Sequence, residues 1–367
     1  MKYYIIAGEA SGDLHASNLM KALKKEDANA EFRYWGGDLM KAQGGTLVKH
    51  YTDLAFMGFV EVLMNLKTIL GNIKVAKKEI LDYKPDVLIL VDYPGFNLRI
   101  APFAKALGIK VVYYISPQLW AWKEGRIETV KKSVDEMLVI LPFEKDFYKK
   151  HQVNAHFVGH PLLDAISDLK PVDAAAFKKE HGLDDREIIA LLPGSREQEV
   201  TKMLELMLSV RPEFNQYQFV IAGAPSLPKS FYERFVDENV HFVSNKTYDL
   251  LRVSKAALVT SGTATLETAL LNIPEVVCYR GNRISYEIAK RLIKNIRFIS
   301  LVNLIMDREV VTELIQDELT TKNLIAELHK IISGPERQTM LDDFSVLREK
   351  LGGHGASENA AKIIVNQ

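Results

Sequence analysis

The most constraining feature of this 367-residue chain is a recurrent pattern of short, almost continuous apolar runs. Each run is followed by a cluster of Gly, Pro, Ser or Asp residues and then by a helical pattern. Strands that are apolar on both sides are typical of parallel sheets with helices on both faces. The runs lie at residues 3–7, 87–91, 111–115, 137–141, 188–192, 218–222, 256–259 and 276–279. This pattern predicts an α/β protein with two open, doubly wound sheets rather than one eight-stranded barrel.

A polar, Pro-containing stretch at residues 165–173 separates the two sets of runs. We therefore predict a first domain at residues 1–167, a second at residues 168–345 and a helical tail at residues 346–367. The tail is expected to pack back on the first domain or on a partner chain. A homodimer is therefore one of the possible assemblies. Open α/β sheets bind ligands at the carboxyl ends of their strands. Two facing domains would place both sets of strand ends at a central cleft.

Composition excludes several classes of protein. The 47 Lys and Arg residues balance 47 Asp and Glu residues, so no global charge would attract nucleic acid. Cys278 is the single cysteine, which excludes an internal disulfide, and the histidines show no metal-ligand spacing. We expect no metal or other cofactor, since the dinucleotide fingerprint and the P-loop are also missing. No signal peptide or membrane-spanning run is found, which predicts a cytoplasmic protein.

Two sequence features of the first half are candidates for chemistry. Asp92 ends the run at residues 87–91, where a parallel strand delivers its side chain to a ligand-binding edge. It could act as a general base or simply cap the next helix. The Gly-rich turn Gly8-Glu-Ala-Ser-Gly-Asp13 could likewise line a site, or form a tight turn in which Ser11 or Asp13 caps a helix.

Two turns in the second half are suited to binding an anion. Leu192-Pro-Gly-Ser-Arg196 places Ser195 and Arg196 at a predicted helix N-terminus, where backbone N–H groups and an arginine can grip phosphate. Thr260-Ser-Gly-Thr-Ala-Thr-Leu-Glu267 repeats this arrangement and adds Glu267, a carboxylate of the kind that holds ribose hydroxyls. Each turn could be a plain helix cap, but two of them favour a nucleotide diphosphate.

Two further segments have an unusual apolar or basic pattern. Residues 56–72 form a predicted helix that is apolar around most of its circumference, which indicates either a core helix or a lipid contact. Residues 280–297 contain six basic residues and one Glu among regularly spaced Ile and Leu. This segment could be a solvated face or a basic helix at a membrane surface.

Taken together, the motifs resemble the lipid-A-disaccharide synthase family, bacterial inverting glycosyltransferases with two Rossmann-like domains of the GT-B type. The matching motifs are Ala7-Gly-Glu-Ala-Ser-Gly-Asp13, Phe56-Met-Gly-Phe-Val-Glu-Val-Leu63, Asp92-Tyr-Pro-Gly-Phe-Asn97, Ser116-Pro-Gln-Leu-Trp-Ala-Trp122, Val158-Gly-His-Pro161, Leu191-Leu-Pro-Gly-Ser-Arg196, Thr260-Ser-Gly-Thr-Ala-Thr-Leu-Glu267 and Ser300-Leu-Val-Asn303. They span most of the chain in the family's order.

The resemblance implies transfer of 2,3-diacylglucosamine from its UDP derivative to 2,3-diacylglucosamine 1-phosphate, giving a β-1,6-linked disaccharide 1-phosphate and UDP. Asp92 is the base that the resemblance implies, with Glu9 and Asp13 as further catalytic candidates. The family often has a second acidic residue at the position of Gly95. The residues implied to bind substrate or UDP are Ser11, Gly12, Asn97, Ser195, Arg196, Ser261, Gly262, Thr263, Glu267 and Asn303.

Acylated substrates imply peripheral contact with the cytoplasmic face of the inner membrane. The residues expected to make this contact are Phe59, Val60, Leu63, Leu66, Leu70, Arg283, Lys290 and Arg291. Three alternatives are a UDP-GlcNAc epimerase, a polyprenyl-linked GlcNAc transferase, and a non-catalytic protein that binds a UDP-sugar or lipid. Neither alternative enzyme is expected to combine the motif that begins at Asp92 with the motif that ends at Trp122.

Overall fold

A computed structural model describes residues 1–54, 66–120, 124–224, 226–281 and 297–366. The chain divides into two compact units, one formed by Met1–Asp164 together with Leu351–Gln367 and the other by Ala165–Lys350. The first boundary lies at 164/165 rather than at 167/168, and the chain returns to the first unit at Leu351 rather than at residue 346. Each unit is an α/β structure with a parallel sheet, as the apolar runs predicted.

The first unit contains a seven-stranded sheet with the order β3-β2-β1-β4-β5-β6-β7. Its strands are β1 Lys2–Ala7, β2 Glu31–Gly36, β3 Thr46–His50, β4 Val87–Val91, β5 Lys110–Tyr114, β6 Glu136–Val139 and β7 Ala155–Phe157. Its described helices are α1 Ala10–Glu26, α2 Asp38–Ala42, α3 Leu66–Tyr83, α4 Pro94–Ala106, α5 Ile127–Ser133 and α6 Pro142–Lys150. The next helix, α7 Pro161–Ser167, crosses the boundary between the units. The connections leave β1 and β4 in opposite directions, so a topological switch point lies between these strands.

Alternating side chains of the first sheet fill two apolar cores, one on each face. Tyr4 and Leu88 belong to one core, and Tyr3 and Ile89 belong to the other. All four are fully buried, which explains why these strands are apolar without interruption.

The second unit contains a six-stranded sheet with the order β10-β9-β8-β11-β12-β13. Its strands are β8 Glu187–Leu192, β9 Tyr217–Gly223, β10 Val240–Ser244, β11 Ser254–Thr260, β12 Glu275–Tyr279 and β13 Glu313–Ile315. Its described helices are α8 Ala174–Glu180, α9 Glu197–Leu208, α10 Lys229–Tyr232, α11 Thr247–Arg252, α12 Thr263–Leu270, α13 Leu301–Met306, α14 Thr321–Ser333 and α15 Glu336–Lys350. The switch point of this sheet lies between β8 and β11.

The returning chain ends in α16 Ala356–Asn366, which packs against α1 of the first unit. Ile364 of α16 belongs to the apolar core that contains Tyr3. The Asp164 carboxylate accepts hydrogen bonds from the backbone N–H groups of Gly355 and Ser357, at 2.7 and 3.1 Å, and so satisfies the start of α16. The tail is therefore a structural part of the first unit.

Several residues singled out in the sequence lie outside the described ranges. They are Phe59, Val60, Leu63, Ala121, Trp122, Arg283, Lys290 and Arg291. Of the helix predicted at residues 56–72, only residues 66–72 lie in the described ranges, and there they belong to α3, described over Leu66–Tyr83. No helix in the described ranges is both long enough and apolar enough to cross a bilayer.

Candidate active site

Two carboxylates lie at the switch point of the first sheet. Asp92 directly follows β4, and Glu9 follows the neighbouring strand β1. The Asp92 side chain is partly exposed, and burial together with the nearby Glu9 charge raises its pKa to about 6. Partial desolvation also raises the pKa of Glu9, which reaches solvent. A carboxylate with a pKa near 6 can accept a proton at neutral pH, as a general base must.

Asp92 and Tyr93 both have left-handed backbone conformations, with φ of 43° and 46°. Such conformations are strained for residues other than glycine and are often found at functional sites. The strained pair turns the chain from β4 into α4, which begins at Pro94. A Cβ at Gly95 would meet no atom within 4 Å, so the backbone here has room for a side chain to begin.

Asn97, for which the resemblance implies substrate binding, makes its hydrogen bonds to the backbone of β4 in this structure. It is fully buried, and its Nδ2 donates to the backbone carbonyl oxygens of Asp92, at 2.8 Å, and Val91, at 3.2 Å. Its amide donor is aimed at the backbone below the site, so Asn97 holds the end of β4.

The Gly-rich turn after β1 contributes less to the site than expected. Asp13 is buried, and its carboxylate accepts three backbone N–H groups, from Gly37 at 2.7 Å and from Leu39 and Met40 at 3.1 Å. These groups belong to the start of α2, so Asp13 caps that helix and is not free to act as a base.

The other two residues of this turn differ in accessibility. Gly12 is buried, and a Cβ there would lie 3.3 Å from the Cβ of Ala7, so its role is to let α1 pack closely on β1. Ser11 is exposed and accessible to a ligand.

Glu144 is a residue of this region that sequence reasoning missed. It lies in the first turn of α6 and accepts hydrogen bonds from Ser116 Oγ at 2.6 Å and from the Leu141 N–H at 3.0 Å. Burial raises its pKa to about 7, while the Ser116 hydrogen bond opposes the rise. Glu144 thereby fixes the start of the Ser116–Trp122 motif. Glu144 could have been found from the sequence, because it is an acidic residue in the first turn of the helix predicted after residues 137–141.

A pocket of about 380 Å³ lies in the second unit at the carboxyl ends of its central strands. The residues that line it come from the turns after β8, β9 and β11 and from the adjacent helices. They are Leu192, Gly194, Ser195, Glu199, Ala222, Gly223, Ala224, Thr247, Thr260, Ser261, Gly262, Thr263, Ala264 and Glu267. The pocket therefore joins the two turns that the sequence singled out for anion binding, at the switch point of this sheet.

The polar groups of the pocket combine anion-binding turns with carboxylates. Ser195 lines the pocket, and the exposed Arg196 beside it is the N-cap of α9; Gly262 and Thr263 lie at the N-terminus of α12. The Ser261 hydroxyl donates to the carbonyl oxygen of Ile299 at 3.2 Å. Helix N-termini and an arginine attract phosphate oxygens.

Two glutamates accompany these turns. Glu267 Oε1 accepts a hydrogen bond from the Tyr248 hydroxyl at 3.0 Å, and burial raises the pKa of Glu267. Glu199, which sequence reasoning missed, lines the same pocket, and burial raises its pKa while Arg196 opposes the rise. Glu199 lies three residues after Arg196, in the first turn of α9, and this spacing could have predicted that it faces the same pocket.

Asn303 does not line this pocket and has no free polar atom for UDP. Its Nδ2 donates to the carbonyl oxygen of Val311 at 2.8 Å and to Glu313 at 2.9 Å. Its Oδ1 accepts the N–H groups of Val310 and Val311, at 2.7 and 3.0 Å. All the hydrogen-bonding groups of its side chain are thus used inside the fold, and the residue positions the turn that leads from α13 into β13.

Of the basic segment predicted at residues 280–297, the structure describes residues 280, 281 and 297. Arg280 Nη2 donates to the backbone carbonyl oxygens of Gln316 and Leu319, at 3.1 and 2.7 Å, and so stabilises the second unit from within. In the ranges that the structure describes, no group of three His, Cys, Asp or Glu side chains is arranged to hold a metal ion.

Comparison with known proteins connects these sites to one family. The model of the lipid-A-disaccharide synthetase family matches residues 3–365. A lipid-A-disaccharide synthase from Syntrophus aciditrophicus is 41% identical, covering 97% of this chain and 95% of that protein. One from Myxococcus xanthus is 39% identical, covering 98% of this chain and 96% of that protein. One from Coxiella burnetii is 35% identical, covering 99% of this chain and 97% of that protein.

Solved structures with little sequence similarity share the fold. A UDP-GlcNAc 2-epimerase from Neisseria meningitidis, bound to UDP-GlcNAc, has a TM-score of 0.69 at 15% identity and full coverage of both chains. The glycotransferase of kitacinnamycin has a TM-score of 0.68 at 14% identity, covering 100% of this chain and 98% of that chain. At such low identity this likeness extends to the two-domain GT-B architecture alone.

Proposed function

This chain belongs to the lipid-A-disaccharide synthetase family, and on that premise we propose how its residues perform the family's glycosyl transfer. The reaction moves 2,3-diacylglucosamine from UDP-2,3-diacylglucosamine to the 6-hydroxyl of 2,3-diacylglucosamine 1-phosphate. The products are the β-1,6-linked disaccharide 1-phosphate and UDP. Membership of this family does not favour the epimerase, the polyprenyl-linked transferase or the non-catalytic binding protein.

Asp92 is the general base of a single, inverting displacement. Its carboxylate takes the proton of the acceptor 6-hydroxyl as that oxygen bonds to the anomeric carbon of the donor. The bond between this carbon and the diphosphate oxygen breaks, and the electron pair leaves with UDP. This assignment rests on the position of Asp92 at the switch point, with a partly exposed side chain and a pKa raised to about 6. Glu9 sustains the raised pKa and lies where it can contact the sugars.

The pocket of the second unit holds UDP. Arg196 and Ser195 contact the diphosphate together with the N-terminus of α12, at Gly262 and Thr263. These groups stabilise the negative charge that develops on the leaving diphosphate, so transfer proceeds without a metal ion. Glu267 accepts the hydrogen bonds of the ribose hydroxyls.

Lipid substrates are collected at a membrane surface, which the exposed face of α3 contacts. Leu70 and Leu81 are 51% and 47% exposed, and they share one face of α3 with the exposed Lys74 and Lys78. Apolar and basic side chains on one face are typical of a helix that lies on an anionic bilayer. The same contact is assigned from the sequence pattern alone to Phe59, Val60, Leu63, Leu66, Arg283, Lys290 and Arg291. We place the enzyme on the cytoplasmic face of the inner membrane.

The test is release of UDP from UDP-2,3-diacylglucosamine, with and without the monosaccharide 1-phosphate acceptor, in the presence of EDTA. We expect acceptor-dependent release by the wild type, and a kcat about 10²- to 10⁴-fold lower for Asp92→Ala. Asp146→Asn, which changes an exposed carboxylate on α6, is the matched control and should keep full activity. Release without acceptor, loss of activity in EDTA, or an active Asp92→Ala variant would each contradict the proposal.

A further inference from the structure

The backbone carbonyl of Asp92 is held by two buried side chains. The Tyr113 hydroxyl donates to this oxygen at 2.6 Å, and Asn97 Nδ2 donates to it at 2.8 Å. Tyr113 lies on β5, the strand that neighbours β4, and both side chains are fully buried. The two donors therefore approach the same oxygen from a helix and from a strand.

These hydrogen bonds stabilise a strained conformation. The left-handed φ of 43° at Asp92 and 46° at Tyr93 persists only where the surroundings stabilise it. A third hydrogen bond, from the Asp92 N–H to the Tyr114 carbonyl oxygen at 3.1 Å, fixes the other side of the residue. The direction in which the Asp92 carboxylate leaves the backbone depends on this conformation.

We propose that Tyr113 is a positioning residue for the general base, acting with Asn97 through the carbonyl oxygen of Asp92. This inference rests on the proposed role of Asp92. Tyr113 does not touch substrate, because it is fully buried beneath the site. Its hydroxyl keeps the carboxylate aimed at the acceptor hydroxyl, and small misplacements of a catalytic group reduce the rate strongly.

The chain offers a matched control at the next position. Tyr114 is also on β5 and fully buried, but it belongs to the apolar core on the opposite face of the sheet from Tyr113. Tyr114→Phe removes the same atom from the same strand without touching the Asp92 carbonyl. A difference between Tyr113→Phe and Tyr114→Phe therefore reports on the contact with Asp92 rather than on general loss of a buried hydroxyl.

The experiment measures kcat and KM for both acceptor and donor in the full-length enzyme. For Tyr113→Phe we expect kcat to fall about 10- to 100-fold with both KM values nearly unchanged, since only alignment in the transition state is lost. Tyr114→Phe should have the wild-type kcat. Asn97→Ser removes the second donor and should repeat the effect of Tyr113→Phe, and it serves as the test if Tyr113→Phe does not fold.

A double-variant comparison separates positioning from a general structural effect. If Tyr113 acts through the Asp92 carboxylate, adding Tyr113→Phe to Asp92→Asn should cause no further loss of kcat. Additive losses, or a Tyr113→Phe variant as active as Tyr114→Phe, would overturn this inference while Asp92→Asn keeps its strongly lowered but measurable kcat. An Asp92→Asn enzyme with the wild-type kcat would instead overturn the proposed role of Asp92 itself.

Discussion

At the scale of single residues, the pair formed by Asp92 and Glu9 predicts how activity depends on pH. Protonated Asp92 cannot accept a proton, so kcat of the wild type should fall as the pH drops below about 6. Glu9→Gln removes a neighbouring negative charge, which lowers the pKa of Asp92 and moves this acid limb to lower pH. The measurement is a pH profile of kcat for the wild type, Glu9→Gln and the control Asp146→Asn. An acid limb that is identical in all three would refute the coupling.

Glu275 predicts a stability effect away from both candidate sites. It is fully buried, neither carboxylate oxygen has a hydrogen-bond partner among the described residues, and burial raises its pKa well above the usual value. Between the ordinary and the raised pKa the folded protein binds a proton that the unfolded chain has lost. Stability should therefore fall by about 1.4 kcal/mol per pH unit across this window as the pH rises.

Glu275→Gln should remove this dependence and stabilise the protein at pH 8, with little change near pH 4. Urea unfolding at several pH values measures it. Glu187→Gln, on the exposed first residue of β8, is the control and should keep the wild-type pH dependence. Equal slopes for Glu275→Gln and the wild type would count against a buried, unpaired carboxyl group.

At the scale of elements, the pocket formed at β8 and β11 predicts discrimination between nucleotides. If Glu267 accepts hydrogen bonds from the ribose, the wild type should bind UDP about 10- to 100-fold more tightly than 2′-deoxy-UDP. Glu267→Ala should bind both nucleotides with similar, weaker affinity, whereas the exposed Glu205→Ala on α9 should behave as the wild type. Titration calorimetry tests this, and discrimination that survives in Glu267→Ala would show that the ribose is bound elsewhere.

The exposed face of α3 predicts binding to anionic vesicles. Leu70→Glu places a charge on this face and should reduce sedimentation with such vesicles by about tenfold, since it removes apolar contact and repels the lipid. Val346→Glu is a matched control, because Val346 is an exposed apolar residue, 41% accessible, on a helix of the other unit. Equal sedimentation of Leu70→Glu and Val346→Glu, or no sedimentation of the wild type, would contradict the proposed membrane contact.

The sequence predicted the central strands of both sheets and missed several others. The run at residues 87–91 coincides with β4, and the run at 188–192 differs from β8 by one residue. These strands are covered on both faces, so every side chain must be apolar. β3, β10 and β13 lie at sheet edges and retain exposed or half-buried polar residues, which leaves no continuous apolar run.

The sequence predicted where the candidate site residues lie better than it predicted which groups their side chains hydrogen-bond. Asp13 and Asn303 lie in the first turns of α1 and α13, but backbone groups of later residues occupy their polar atoms: Gly37, Leu39 and Met40 for Asp13, and Val310 and Val311 for Asn303. Such pairing depends on tertiary contacts and leaves no local pattern. Tyr113 was missed for the opposite reason: in sequence it is one more apolar member of a buried strand.

At the scale of the whole molecule, the first unit is completed by the C-terminal segment of the chain, Leu351–Gln367. The turn before α16 is tied to this unit by the hydrogen bonds from Gly355 and Ser357 to Asp164 and from the His160 N–H to the Leu351 carbonyl oxygen, at 3.1 Å. A sequence pattern marks the tail as helical, but it cannot choose between its own first domain and a second chain. The choice follows from packing, because α16 completes the apolar core over α1.

This closure predicts that the final helix stabilises the first unit. Ile364 is 1% exposed in the core, so Ile364→Ala should lower the free energy of unfolding of this unit by about 2–5 kcal/mol. Lys362→Ala, on the exposed face of the same helix, should change it by less than about 0.5 kcal/mol. Hydrogen exchange read by mass spectrometry separates the units: exchange in β1 and α1 should quicken for Ile364→Ala, while β8 and β11 keep their protection. Faster exchange in both units, or in neither, would show that α16 does not stabilise the first unit specifically.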